Sequence, residues 1–238
     1  MIFVLPTRLS APGYISGGLF GRRIGKVLSP RQAADYELGM AAYGVAVGSE
    51  PLPDLQKLFS APVENIHLEI GFGSGENFLA SARRQNATGF IGVEPFINGI
   101  AKVCTALKPA PSGNICLYDQ DVVPLLDRLP DASLNGIDLF YPDPWTKKRH
   151  WKRRMISPAN LDRFARIMKP GAEFRFASDI SHYVNWTLEA LDRHPDFSWQ
   201  AAGPDDWAKP YSFWPGSRYE QKAIKEGRIP AYLTFVRN

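Results

Sequence analysis

Three glycines in five residues close the stretch Leu68-Glu69-Ile70-Gly71-Phe72-Gly73-Ser74-Gly75, directly after a short apolar run. A second such run ends in Glu94, 23 residues past Gly71. Glycines let a backbone turn tightly and approach a ligand closely, and a helix starting after them offers free N–H groups. An acid at that distance can accept both ribose hydroxyls of an adenosine. A third run is followed by Asp119-Gln120-Asp121, where a carboxylate can meet the adenine amino group. The glycine cluster alone reads as a tight strand-to-helix turn; with Glu94 at this spacing it points to an adenosine ligand. The dinucleotide pattern G-x-G-x-x-G is not met, because the third glycine comes one residue early and Glu76 and Asn77 follow. An acid at a helix start repels a pyrophosphate, whereas the ammonium and sulfonium groups of S-adenosylmethionine tolerate Glu69 and Glu76. The pattern favours S-adenosylmethionine over a nicotinamide dinucleotide.

A fourth apolar run ends Phe140-Tyr141-Pro142-Asp143-Pro144-Trp145, and six of the next nine residues are basic. Two prolines lock the backbone around one carboxylate, which holds that group rigidly. A lone Asp-Pro is ordinarily a turn or capping aspartate; the position of Asp143 on the same strand edge as Gly71 and Glu94 favours a functional role. The net charge of +4 is unevenly spread. Residues 1–34 carry five cations and no acid, and residues 147–154 carry six and no acid. Without those eleven, 17 basic residues face 24 acidic ones, a balance of −7. Isolated charge runs are usually solvated faces. Here His150 and Trp151 interrupt the second run, and cations interleaved with flat rings suit a phosphate backbone and an exposed base.

These groups need a scaffold that brings strand ends together. Strands are expected over 66–70, 89–94, 114–118, 137–141 and 172–177, alternating with helices over 76–84, 96–107, 122–128, a segment opened by Ser157-Pro158, and one capped by Asp179 and running to Leu191. Ser29-Pro30-Arg31-Gln32 reads as a capping box opening a helix to about Val47. Late strands over 197–201 and 232–237 pair as a hairpin. The alternation predicts an α/β, Rossmann-like, doubly wound and mostly parallel sheet with an antiparallel C-terminal hairpin. Residues 1–28, with five glycines and no apolar periodicity, read as a mobile basic arm, and 29–238 as a single domain.

Hydrophobic residues make up 45% and charged residues 22%, which excludes disordered, collagenous and coiled-coil classes. No apolar run approaches the roughly 18 residues of a membrane span. The N-terminal Ile2-Phe3-Val4-Leu5 patch is too short for a signal-peptide core. Cys104 and Cys116 make neither a disulfide framework nor a metal-ligand spacing. The expectation is a cytoplasmic protein without bound metal, monomeric or homodimeric.

The motifs together resemble the bacterial tRNA (guanine-N7)-methyltransferases, within the class I S-adenosylmethionine-dependent enzymes. The resemblance spans 29–237. It rests on the glycine motif, Gly92-Val93-Glu94, Pro142-Asp143-Pro144-Trp145 with its basic tail, Ala177-Ser178-Asp179 and Ser217-Arg218-Tyr219-Glu220. It implies methylation of guanine N7 in the tRNA variable loop. It further implies that Glu69, Glu94, Asp121 and Asp143 line the cofactor pocket with Gly71 and Gly73. By the same resemblance Asp143 is catalytic, and Lys147, Asp179, Ser217, Arg218, Tyr219 and Glu220 hold the tRNA. The family more often has threonine at the position of Ser217, which keeps the hydroxyl.

Independent chemistry agrees on the role of Asp143. Guanine N7 carries an in-plane lone pair and no proton, so methylation there needs no base. A carboxylate that accepts from guanine N1–H and the N2 amino group selects guanine over adenine. Tyr219 or Trp145 can stack on a base or serve as core packing. Three alternatives compete. Methyltransferases acting on exocyclic amines resemble one another in placing Asn or Asp, then Pro-Pro and an aromatic, at the fourth strand, unlike Pro-Asp-Pro-Trp. A non-catalytic RNA-binding module would tolerate a degenerate pocket, but Gly71, Glu94 and Asp143 are all intact. A nicotinamide-dependent oxidoreductase has no use for the 147–154 cluster.

Overall fold

The computed structural model describes residues 21–52 and 54–238. Helix α1 (Pro30–Tyr43) starts on the expected capping box, with Ser29 Oγ accepting from Gln32 N–H and Pro30 in its first turn. It stops at Tyr43 rather than near Val47. Gly44 goes extended and bridges Leu117, and Val45 N–H donates to the Leu117 carbonyl at 2.9 Å.

Five parallel strands follow: β1 (Asn65–Ile70), β2 (Thr88–Val93), β3 (Ile115–Tyr118), β4 (Leu134–Phe140) and β5 (Met168–Ser178). Between them run α2 (Glu76–Arg84), α3 (Ile97–Leu107), α4 (Val122–Arg128) and α5 (Pro158–Ile167). After β5 come α6 (Ser181–Asp192), β6 (Phe197–Trp199), α7 (Asp205–Ala208), α8 (Arg218–Lys225) and β7 (Ala231–Arg237). The sheet order is β3-β2-β1-β4-β5-β7-β6, with β7 antiparallel to both neighbours. This is the expected doubly wound sheet with its C-terminal hairpin.

Side chains alternate along the strands, so each face acquires its own core. Phe90, Ile115 and Leu117 pack with Phe78 of α2 and Ile100 and Val103 of α3. Ile91, Val93 and Cys116 join Leu125 of α4, Phe164 of α5 and Tyr183 of α6 on the other face. Both cysteines are buried and unbridged.

Five local expectations are corrected. Asp179 does not cap α6: Ile180 occupies the cap position, its N–H donates to Ser178 Oγ, and the Asp179 carboxylate accepts from Arg228 instead. Strand β5 begins at Met168 rather than at Ala172, because Gly171 at φ +80° and a register shift opposite Leu134–Gly136 carry pairing through Lys169-Pro170-Gly171. Strand β4 likewise starts three residues earlier than expected, and β6 ends at Trp199. The arm expected over 1–28 is docked where it is described. Arg23 O accepts from Ile97 N–H at 2.9 Å, and Asn98 accepts from Gly25 N–H at 2.8 Å and donates to Lys26 O at 2.7 Å. Residues 1–20 lie outside the described part.

Candidate active site

The strand order reverses between β1 and β4, and in open α/β sheets ligands bind beyond the strand ends at such a switch point. A cavity of about 530 Å³ lies there. Its wall includes Gly71 and Gly73 after β1, Glu94 after β2, Asp121 after β3, Asp143 after β4 and Tyr219 of α8. Residues from four strand ends, separated by up to 72 positions in the chain, therefore converge.

The glycine loop leaves room for a close ligand. Gly71, Gly73 and Gly75 have φ of +74°, +61° and +82°. An added Cβ at Gly71 would meet nothing within 4 Å, so open space lies above that backbone. Gly73 N–H donates to Glu94 Oε2 at 2.7 Å, and Phe96 N–H donates to Oε1 at 2.9 Å. These bonds fix the carboxylate while leaving lone pairs for ribose hydroxyls. Burial pushes the Glu94 carboxyl up to about 6, against the pull of the two N–H donors. Asp121 is half-buried, caps α4 through Val123 N–H, and has its carboxyl raised by burial.

Glu69 is not among the cavity-lining residues. It is buried, accepts from Asn77 Nδ2 at 2.8 Å, and carries a carboxyl pushed up first by burial and then by neighbouring Asp138. Its bond to Asn77 ties β1 to the first turn of α2, on either side of the glycine loop. Asp138, buried in β4, opposes this: His67 Nε2 lies 3.0 Å away and Arg175 grips it through Nε and Nη2 at 2.7 and 2.6 Å. Burial pushes its carboxyl up, but the neighbouring His67 and Arg175 outweigh that and hold it low. Sequence reading missed this group, although an aspartate inside the apolar run Ile137-Asp138-Leu139-Phe140 was a visible anomaly. It also missed Tyr36, whose hydroxyl donates to Asp119 at 2.7 Å, leaving Asp121 rather than Asp119 on the cavity wall.

Asp143 stands exposed at the cavity mouth, where partial desolvation raises its carboxyl. The turn holding it is bracketed by non-glycine residues in left-handed backbone, Tyr141 at φ +49° and Trp145 at φ +42°. Such conformations cost about 1–3 kcal/mol each and persist when surroundings over-determine them. Lys147, Lys148, Arg149 and Lys152 are exposed around the tight turn Lys148–Arg153 that follows. Lys152 and Arg153 line the cavity; Lys147 does not.

The C-terminal insertion supplies the remaining wall. Ser217 and Glu220 form a capping box on α8, and buried Glu220 also accepts from Trp214 Nε1 at 2.9 Å and from the Tyr232 hydroxyl. Both side chains are thus engaged in seating the helix. The residues between them face the site: Arg218 lies 3.5 Å from Ser74 Oγ, and Tyr219, 62% exposed, lines the cavity beside Gly73. Asp179 pairs with Arg228 and is not in the lining.

The residues fit S-adenosylmethionine: open space over Gly71, a fixed carboxylate at Glu94 and a cavity within the 300–1,000 Å³ common for such ligands. Among the described residues no group of His, Cys, Asp and Glu could hold a metal ion, and no helix is long and apolar enough to cross a membrane.

Comparison with known proteins agrees with this geometry. Residues 63–231 match the family described as a putative methyltransferase. The chain is 57% identical over 226 residues to the tRNA (guanine-N(7)-)-methyltransferase of Brucella melitensis biotype 1, covering 95% of this chain and 97% of that one. It is 56% identical to the protein of that name from Mesorhizobium japonicum, with the same coverage. Among solved structures, the 16S rRNA methyltransferase KamB shares the fold at TM-score 0.53 and 14% identity, covering 82% of this chain and 98% of that one.

Proposed function

The chain belongs to the tRNA (guanine-N7)-methyltransferase family, and from that premise we infer that it transfers a methyl group from S-adenosylmethionine to N7 of a guanine in the tRNA variable loop. The observation that carries this reading is the shared cavity of Gly71, Gly73, Glu94 and Asp143 at the sheet's switch point. When bound, S-adenosylmethionine supplies an electrophilic sulfonium methyl group. Gly71 and Gly73 would cradle its amino-acid end, Glu94 would accept from the ribose hydroxyls, and Asp121 would meet the adenine. Glu69 supports the loop from within the fold through Asn77.

Asp143 acts as a positioner. Its carboxylate accepts from guanine N1–H and the N2 amino group, turning N7 toward the cavity, and no proton has to leave N7. Keeping substrate at the correct angle is worth several powers of ten in rate when the reacting atoms are well aligned. Tyr219 and Trp145, both on the cavity wall, offer rings for stacking the base. Lys147, Asp179 and the Ser217 to Glu220 tetrapeptide hold the tRNA, with Ser217 and Glu220 presenting Arg218 and Tyr219. The enzyme works in the cytoplasm, as a monomer or homodimer.

The test is incubation of purified protein and labelled S-adenosylmethionine with unmodified tRNA, followed by nucleoside analysis. Label is expected in 7-methylguanosine. Label confined to another nucleoside rejects the assignment.

A further inference from the structure

Arg154 ends the basic run, yet it is 2% exposed while Lys147, Lys148, Arg149 and Lys152 stand in solvent. Its Nε donates to the Pro144 carbonyl at 2.9 Å, and its Nη2 lies 3.0 Å from His182 Nδ1 on α6. The guanidinium sits 5.1, 4.8 and 4.9 Å from the ring centroids of Trp151, Tyr183 and Trp186. Burial lowers its pKa, and Nη1 has no hydrogen-bond partner among the described residues. Burying a cation without a paired anion is costly. A spacer need not be charged, and a phosphate contact need not be buried. What the guanidinium alone supplies is a rigid fork reaching two elements at once.

The two elements it joins matter. Pro144 follows Asp143 directly, inside the turn bracketed by left-handed Tyr141 and Trp145. Arg154 also closes the exposed basic turn, its own N–H donating to the Trp151 carbonyl at 3.0 Å. We propose that Arg154 is a positioning residue: it fastens the Asp143 turn to α6 and to the base of the basic loop, so that the aim of the carboxylate is set by this link while the exposed cations of the loop keep their own contacts. The inference rests on the role of Asp143 given above and sets Arg154 apart from the exposed cations of the same run.

The experiment compares Arg154→Ala and Arg154→Lys with Lys148→Ala, a change at an exposed cation of the same loop. Single-turnover methylation at saturating tRNA, tRNA affinity over a salt series, and the melting-temperature shift given by S-adenosylhomocysteine are measured for each. Arg154→Ala should lose about 100-fold in single-turnover rate, the scale of a misplacement near 1 Å, while tRNA affinity, salt slope and the S-adenosylhomocysteine shift stay at wild-type values. Arg154→Lys, which keeps charge and loses the fork, should fall between, and methylguanidine should restore part of the alanine variant's rate. Lys148→Ala should do the opposite, binding tRNA more weakly with turnover at saturation kept. Weaker tRNA binding by Arg154→Ala, with a salt slope lower by about one unit and turnover preserved, overturns the proposal, since that is a phosphate contact. Wild-type turnover in both Arg154 variants also overturns it. If the alanine variant does not fold, the lysine variant decides: slower turnover at an unchanged melting temperature supports the fastener, and unchanged turnover refutes it. Absence of 7-methylguanosine with the wild-type enzyme is a separate result, and it bears on the reaction assignment alone.

Discussion

Glu94, proposed above to accept from the ribose hydroxyls of the cofactor, is also a carboxylate that the fold buries. Its carboxyl is raised from 4.5 to about 6, chiefly by burial. A raised acid holds its proton more tightly in the folded state. The stability it confers is therefore fully present below about 4.5 and is lost as the pH rises through about 6. A shift of that size corresponds to about 2 kcal/mol, or roughly 5 °C in a chain this long. Glu94→Gln, which keeps the shape without the titration, should remove that loss. The melting temperature of the ligand-free variant should gain on wild type between pH 4.5 and 6.5, and parallel curves would show that the burial cost lies elsewhere. Glu94→Ala should also abolish stabilisation by S-adenosylhomocysteine, which acts by mass action on the folded state. NAD should stabilise neither protein.

Among the elements, α3 sets the shape of the glycine loop. A Cβ on Gly99 would lie 2.2 Å from the Gly73 carbonyl oxygen and 3.1 Å from Glu94 Cγ, so the helix reaches the loop because position 99 has no side chain. Gly99→Ala should cost about 1–3 kcal/mol of stability, the range for overpacking. It should also weaken S-adenosylhomocysteine binding about tenfold or more as the loop retreats, tenfold being 1.4 kcal/mol of binding energy. Thermal unfolding and titration calorimetry check both, and an unchanged affinity would mean the loop is not shaped by α3. None of this was readable in the chain, since Gly99 sits in an ordinary helical stretch and its neighbour is 26 positions away. What was readable was local. The Ser29 to Gln32 box, the short apolar runs of β1 to β3 and the glycine stop after Ile70 all state their structure within a few residues. The expectations that failed, Asp179 as a cap and a fifth strand starting only at Ala172, failed where a distant partner competed: Arg228 for the carboxylate, β4 for the strand.

Across the whole molecule, charge is sorted by place, and the same limit of legibility holds. The sequence located the basic run but could not divide it, because which cation faces water depends on how the loop folds over α6. Four of its six cations are exposed, Arg153 is half-buried and Arg154 is enclosed. The structure thus predicts different failures for neighbouring residues. If Lys148, Arg149 and Lys152 each neutralise one phosphate, each alanine variant should lower the slope of log affinity against log salt by about one unit. The triple variant should lower it by about three, with single-turnover rate at saturating tRNA largely kept. Asp143→Ala should behave in reverse: turnover collapses, while tRNA affinity holds or rises slightly, because a negative charge has left a surface that faces phosphates. An exposed arginine or lysine can also pair locally and contribute little to RNA binding; among the described residues none of these three has a carboxylate within salt-bridge distance, and Arg149 Nε donates to the neighbouring His150 Nε2 at 3.3 Å. Filter-binding or fluorescence titrations from low to high salt, alongside single-turnover assays, separate the two behaviours. Wild-type salt slopes in all three lysine and arginine variants would remove the loop from the RNA interface, and near-wild-type turnover in Asp143→Ala would remove the carboxylate from the chemistry.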